Sequence, residues 1–166
     1  LIVANYAHFL DQSLKEYHQA EDLYLKAIDL NTDNINALIN YASFQTDIKK
    51  DYEKAEHYFK QALEKNPDDP DLLGNYAHMI IVSTQNFDRA SRMIDKAFTN
   101  LKTNRLDIRA ELWFYRYAHY KKWLKKGKSE LEKLISANAK SKGWDFASHI
   151  AIAKSSGHPD VDSLER

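Results

Sequence analysis

The stretch "NYAH" stands at residues 5–8 and again at 75–78, with "NYAS" at 40–43 between them. The interval is 35 residues both times. Laid on itself at that interval, the chain superposes Tyr6, Tyr41 and Tyr76, then Ala7, Ala42 and Ala77, then Phe9, Phe44 and Met79. Further along it superposes Tyr17, Tyr52 and Phe87; Ala20, Ala55 and Ala90; Tyr24, Phe59 and Ile94; and Ala27, Ala62 and Ala97. Small columns stay small and large columns stay large, which marks a structural repeat.

Within each unit the apolar spacing is helical. "AEDLYLKAIDL" sets Ala20, Leu23, Tyr24, Ala27, Ile28 and Leu30 at three- and four-residue steps, and "AEHYFKQAL" repeats the pattern. The breaks "NTDN" at 31–34 and "NPDDPD" at 66–71 end one helix and cap the next with Asn or Asp. Each unit is therefore expected to be two antiparallel helices. Alanine permits the close approach within a pair, and aromatics fill the wider gaps between pairs.

This pattern resembles the tetratricopeptide repeat. The small residue of the first helix (Ala7, Ala42, Ala77), the alanine of the second (Ala20, Ala55, Ala90), the next alanine seven later and Pro67 match that family. Departures are the period of 35, one longer than usual, and Thr32 and Lys102 where proline is common. The longer repeat resembles the type found in bacterial multi-domain proteins. The fold class implied is all-α: a right-handed α-solenoid of antiparallel helix pairs. Three regular repeats are expected at about 1–33, 34–68 and 69–103. A degenerate repeat is expected at 107–141, since "RYAHY" echoes "NYAHM" with Ala118 displaced to 41 residues after Ala77. Leu131 is taken to replace the alanine of its second helix. A capping helix and tail at 144–166 follow, with Asp145 as cap, Phe146, Ile150 and Ile152 facing inward, and Gly157 with Pro159 as the stop. The chain as a whole reads as one domain and as a piece of a longer protein.

Composition narrows the function classes. There is no cysteine, and four glycines and three prolines leave little room for a phosphate-binding loop. No apolar run approaches the roughly 20 residues of a membrane span. A soluble, cytoplasmic protein is the expectation. Zero net charge hides an asymmetry: residues 1–100 hold 10 Lys/Arg against 16 Asp/Glu, and the remainder holds 14 against 8. An acidic body with a basic end could self-associate. No nucleophile stands beside a base and no metal-binding spacing occurs, so no enzyme activity, cofactor or metal is expected.

First helices of such an array are expected to line its concave face. Asn5 and His8, Asn40 and Ser43, Asn75 and His78, and Arg116 and His119 each lie three apart, on one helix face that is not the face of the packing tyrosine. Leu1, Asn36 and Asp71 lie a turn away. An amide offers a donor and an acceptor together, so it can pair with both backbone groups of one extended residue. The arrangement resembles the asparagine ladder in the superhelical repeats of O-GlcNAc transferase, which implies that a protein or peptide partner is held by its backbone. Alternatively, the asparagines fix the angle between repeats. A clamp for a chaperone's C-terminal carboxylate is argued against, because its positions hold Ala4, His8, Asp71 and Asn75.

Two other readings compete. The stretch "WFYRYAHYKKWLKKGK" at 113–128 interleaves aromatics with Lys121, Lys122, Lys125 and Lys126, and pentatricopeptide RNA-binding arrays also repeat at 35. Against nucleic acid, Phe114 and Tyr117 fall in core columns, the lysines are taken to sit at a helix C-terminus, and the repeats are acidic. A structural or self-associating spacer for other domains is the third reading.

Overall fold

The computed structural model describes residues 2–139 and 146–164. Leu1 and Asp145, the expected groove position and helix cap, lie outside them. Four helix pairs follow in series: α1 (Ile2–Phe9) with α2 (Tyr17–Leu30), α3 (Ile35–Phe44) with α4 (Tyr52–Lys65), α5 (Pro70–Thr84) with α6 (Phe87–Asn100), and α7 (Leu106–His119) with α8 (Leu124–Ser136). Two short helices, α9 (Ala147–Ser155) and α10 (Val161–Leu164), come after them. The described residues contain no strand, and the fold is an all-α solenoid of the tetratricopeptide kind.

Polar side chains start α3, α4, α5 and α6. Asn34, Asp51, Asp69 and Asn86 accept the backbone N–H three residues on, at 3.2, 3.1, 3.0 and 3.0 Å. Each such cap is worth about 1 kcal/mol. The first helices of pairs one and two end in π-helical turns, Leu10–Leu14 and Gln45–Lys49, whereas α5 stays α-helical throughout. In all three the next residue, Lys15, Lys50 or Gln85, turns left-handed with φ of 60°, 56° and 50°. The period of 35 thus reaches the backbone conformation itself.

The alanine columns are fully buried or nearly so, from Ala7, Ala42 and Ala77 to Ala27, Ala62 and Ala97. Aromatics bridge the pairs: Tyr24 lies 5.8 Å from Tyr41 and 5.7 Å from Phe44, and Phe59 lies 5.4 Å from Tyr76. First helices touch in series, α1 on α3, α3 on α5 and α5 on α7. Each second helix packs instead on the first helix of the following pair, so the row of first helices, whose members touch one another, is the inner side.

Two expectations are corrected. In the fourth pair the small residue is Gly127 and not Leu131. Gly127 is buried, and an added Cβ would meet the Tyr117 Cβ at 2.9 Å and its Cα at 3.2 Å. Leu131 and Leu134, four and seven residues on, then fill the aromatic and second-alanine columns; α7 ends one residue after Ala118, whereas α5 runs on to Thr84, well past Ala77, and this early end moves the register. The lysines also sit differently. Lys121 and Lys122 follow the end of α7, but Lys125 and Lys126 lie in the first turn of α8, where the helix dipole disfavours cations.

Candidate interaction surface

The three ladder asparagines lie on α1, α3 and α5 but do not share one environment. Asn5 is exposed and Asn40 half-buried, and among the described residues neither amide makes a hydrogen bond. Asn75 is committed: its Nδ2 donates to the Asp71 carbonyl at 2.7 Å, and its Oδ1 accepts from Ser43 Oγ at 3.0 Å. It therefore ties the third pair to the second. His8 is exposed, with Nδ1 3.5 Å from the Tyr24 hydroxyl, which donates to Asp11 at 3.2 Å. Burial pushes the Asp11 carboxyl up. Asp71, a turn from Asn75, receives both terminal nitrogens of Arg105 at 2.8 and 2.9 Å.

Further along, the inner face is occupied. α9 packs on α5 and α7 and brings His149, fully buried, between His78 and His119. Nε2 of His149 is 2.6 Å from Nδ1 of His78, and its Nδ1 is 2.8 Å from Nε2 of His119. Nε2 of His78 lies 2.8 Å from Asp47. With the Asp47 carboxylate as terminal acceptor, one arrangement keeps all three rings neutral and satisfies each contact. Every ring donates from Nε2 and accepts at Nδ1, so the chain runs His119 to His149 to His78 to Asp47. Burial holds the His119 ring down to about 4 and lowers His149 well below its ordinary value, as neutral rings require. Neither His149 nor this chain is legible from periodicity, because 71 residues separate His149 from His78.

Arg116 is enclosed rather than presented. Its guanidinium stands 4.0 Å from the Phe98 ring centroid, 4.5 Å from Trp123 and 4.9 Å from Trp113, and donates to Asp95 at 2.6 Å. Trp113, Phe114, Tyr115 and Tyr117 of the aromatic-basic stretch are buried. Lys121, Lys122, Lys125 and Lys126 are exposed, with Lys126 resting 5.4 Å from the Trp123 ring.

Two carboxylates that sequence reasoning missed join successive pairs. Glu21 accepts from the Tyr41 hydroxyl at 3.1 Å, Gln45 at 3.0 Å and Lys49 at 2.8 Å. Glu56, 35 residues later, accepts from Tyr76 at 3.0 Å, Arg89 at 2.6 Å and Lys60 at 3.0 Å. Against desolvation, the bonds from Lys49, Gln45 and Tyr41 bring Glu21 down to about 2, and the bond from Arg89 does most of the same for Glu56. The signal was present as a column: glutamate follows alanine in both repeats.

Among the described residues no cluster of His, Asp or Glu is placed to hold a metal, and no helix is long and apolar enough to cross a membrane. Comparison with curated proteins and with solved structures finds no significant match. The tetratricopeptide repeat family model matches residues 48–99, which run from the end of the second pair's first helix through α6. Repeats of this family generally mediate protein–protein interaction and are typically non-catalytic. That match lies within a run of helix pairs whose first three share the alanine columns, and it supports assigning residues 48–99 to the tetratricopeptide repeat family.

Proposed function

We propose that this chain is a protein-interaction module whose concave face, at the first two helix pairs, holds an extended segment of a partner by its backbone. Asn5 and Asn40 pair with backbone C=O and N–H groups of the segment, with Asn75 adding its remaining lone pair and proton at the edge. His8 and Ser43 line the same open stretch. His78, Arg116 and His119 belong to the part under α9 or are enclosed by aromatic rings, and join a ligand site only where those contacts give way. The observation that supports this reading is the pair of amides, Asn5 and Asn40, that make no hydrogen bond among the described residues. Two such pairings give about 1–3 kcal/mol, on the order of one to two decades of affinity.

The test selects extended peptides from a displayed random library against the whole chain, then compares the best of them on native protein and on an Asn5→Ala/Asn40→Ala variant. Loss of about tenfold or more in the variant, matched by loss on N-methylation of individual peptide bonds, supports backbone pairing. Undiminished binding by the variant sinks it. Binding that instead collapses between low and moderate salt favours phosphate recognition at the exposed lysines of α8.

A further inference from the structure

The inner-face column that starts at His8 runs through Ser43 to His78, and His119 takes its place on α7. His8 is exposed and Ser43 half-buried. At the third and fourth steps a helix of the chain itself fills the column. α9 packs on α5 and α7, and its His149 reaches His78 at 2.6 Å and His119 at 2.8 Å. The rings beneath it are aromatic as well: Phe146 lies 4.1 Å from Phe114, and His149 lies 4.6 Å from Tyr115.

α9 is lightly held for the place it occupies. Of its nine residues only His149 and Ala153 are buried, against eight of the fourteen in α7. Its start has no side-chain cap, whereas α3, α4, α5 and α6 each have one. It is shorter than the roughly 12 residues below which a lone helix barely persists in water. A segment that buries so little and depends on its seat for its helix opens well before the array unfolds. The side chains that seat it form a stripe at steps of three and four: the Phe146 ring, the His149 imidazole and the small Ala153.

We propose that α9 is an autoinhibitory segment: it occupies the inner face of pairs three and four reversibly, and a partner reaches that face only by displacing it. The competing segment is a short helix of the same chemistry, with an aromatic residue, a hydrogen-bonding side chain three residues on and a small residue four further. The inference rests on the reading of the inner face as the binding surface, and adds that the chain itself sets how much of that surface is open. A competitor meets its site only in the fraction of molecules whose α9 is released, so its apparent affinity falls by that fraction.

The test uses the full chain, a release variant and α9 supplied in trans. Ala153→Glu forces volume and a charge into a buried contact and so frees α9, with His149→Ser as a second release variant. Circular dichroism and the amide protection of α1 to α6 verify that the array stays folded. The probe is a synthetic capped peptide of residues 146–158, titrated into isotope-labelled chain. On the released chains it is expected to give saturable amide shifts on α5 and α7 around His78 and His119. On the native chain it binds about tenfold or more weaker, and as it binds, the chain's own α9 amides lose protection. Absence of saturable shifts on both released chains at millimolar peptide overturns the proposal, as do shifts centred elsewhere or equal affinity for native and released chains. Protection of α9 that survives both substitutions, or an array that unfolds with either, overturns it too, because α9 is then a fixed part of the fold. The probe bypasses Asn5 and Asn40, so its outcome stands apart from that of the backbone-pairing test on pairs one and two.

Discussion

Nε2 of His149 lies 2.6 Å from Nδ1 of His78, and this contact fastens α9 to the first helix of the third pair. His149 also stands 4.6 Å from the Tyr115 ring and at right angles to Phe114, so its imidazole is walled by aromatics as well as by two other histidines. The consequence is a division of the inner face. Among the described residues nothing covers that of pairs one and two, while pairs three and four have theirs covered by α9.

Acid should release that helix. The groups facing the chain are Asp47 beside His78, Tyr115 beside His149, and Phe87 and His158 near His119. His119 and His149 both titrate below their ordinary value of 6.5 in the native state, so the folded protein favours the neutral rings. Their contribution is complete above about pH 6.5 and is lost as pH falls toward 4; for His119 alone it amounts to about 3 kcal/mol. Protection factors of the α9 amides, corrected for the intrinsic pH dependence of exchange and followed from pH 7.5 to 4.5, should fall more than in the helices of pairs one and two, and His149→Leu should flatten the difference. Equal protection of α9 at both ends of that range would contradict the neutral-ring assignment.

Two buried glycines should respond oppositely to alanine. At Gly127 the new Cβ meets Tyr117 main chain and Cβ at 3.2 and 2.9 Å, contacts that a flexible side-chain tip cannot relieve. Gly127→Ala should cost about 1–3 kcal/mol despite the gain in helix propensity. At Gly74 the nearest atom is a Leu112 methyl at 3.6 Å, ordinary contact distance. Gly74→Ala should be neutral or stabilising by up to about 1 kcal/mol. Thermal unfolding of the two variants side by side checks both signs.

The glutamate columns predict a graded tyrosine series. Tyr41→Phe and Tyr76→Phe each remove a hydroxyl that reaches a carboxylate on the preceding pair, and each should cost about 1 kcal/mol in urea unfolding. Tyr6→Phe removes a hydroxyl on the exposed face of α1 and should cost nothing measurable. Should all three behave alike, the carboxylates contribute nothing between repeats.

What the sequence made legible was whatever repeats locally. Alanine and aromatic columns, caps and the 35-residue period all express contacts between neighbours in the chain or in successive units, and these appear as expected. What stayed hidden depends on position in three dimensions. His149 has no column, and its partners are fixed by where α9 lands. Gly127 was missed because α7 ends one residue after Ala118 and moves the register, so counting from Ala118 points to the wrong residue. The asparagines were legible as a column but not as individuals. Identical residues at identical phase met different neighbours, since only Asn75 has Ser43 and the Asp71 carbonyl within reach.

That difference separates the packing role of asparagine from a binding role by stability alone. Asn75→Ala breaks an inter-pair bond at 3.0 Å and a bond to the preceding turn at 2.7 Å, and leaves Ser43 without its acceptor. A loss of about 1 kcal/mol is expected. Asn40→Ala and Asn5→Ala break nothing within the described protein and gain helix propensity, so each should stay within about 0.5 kcal/mol of the native chain. Chemical denaturation of the three single variants gives the comparison. If Asn40→Ala destabilises as much as Asn75→Ala, the column fixes the angle between pairs throughout, and the backbone-pairing role falls with it. If Asn40→Ala is silent in stability yet weakens the selected peptide about three- to tenfold, the amide at α3 is retained for a partner and not for the fold.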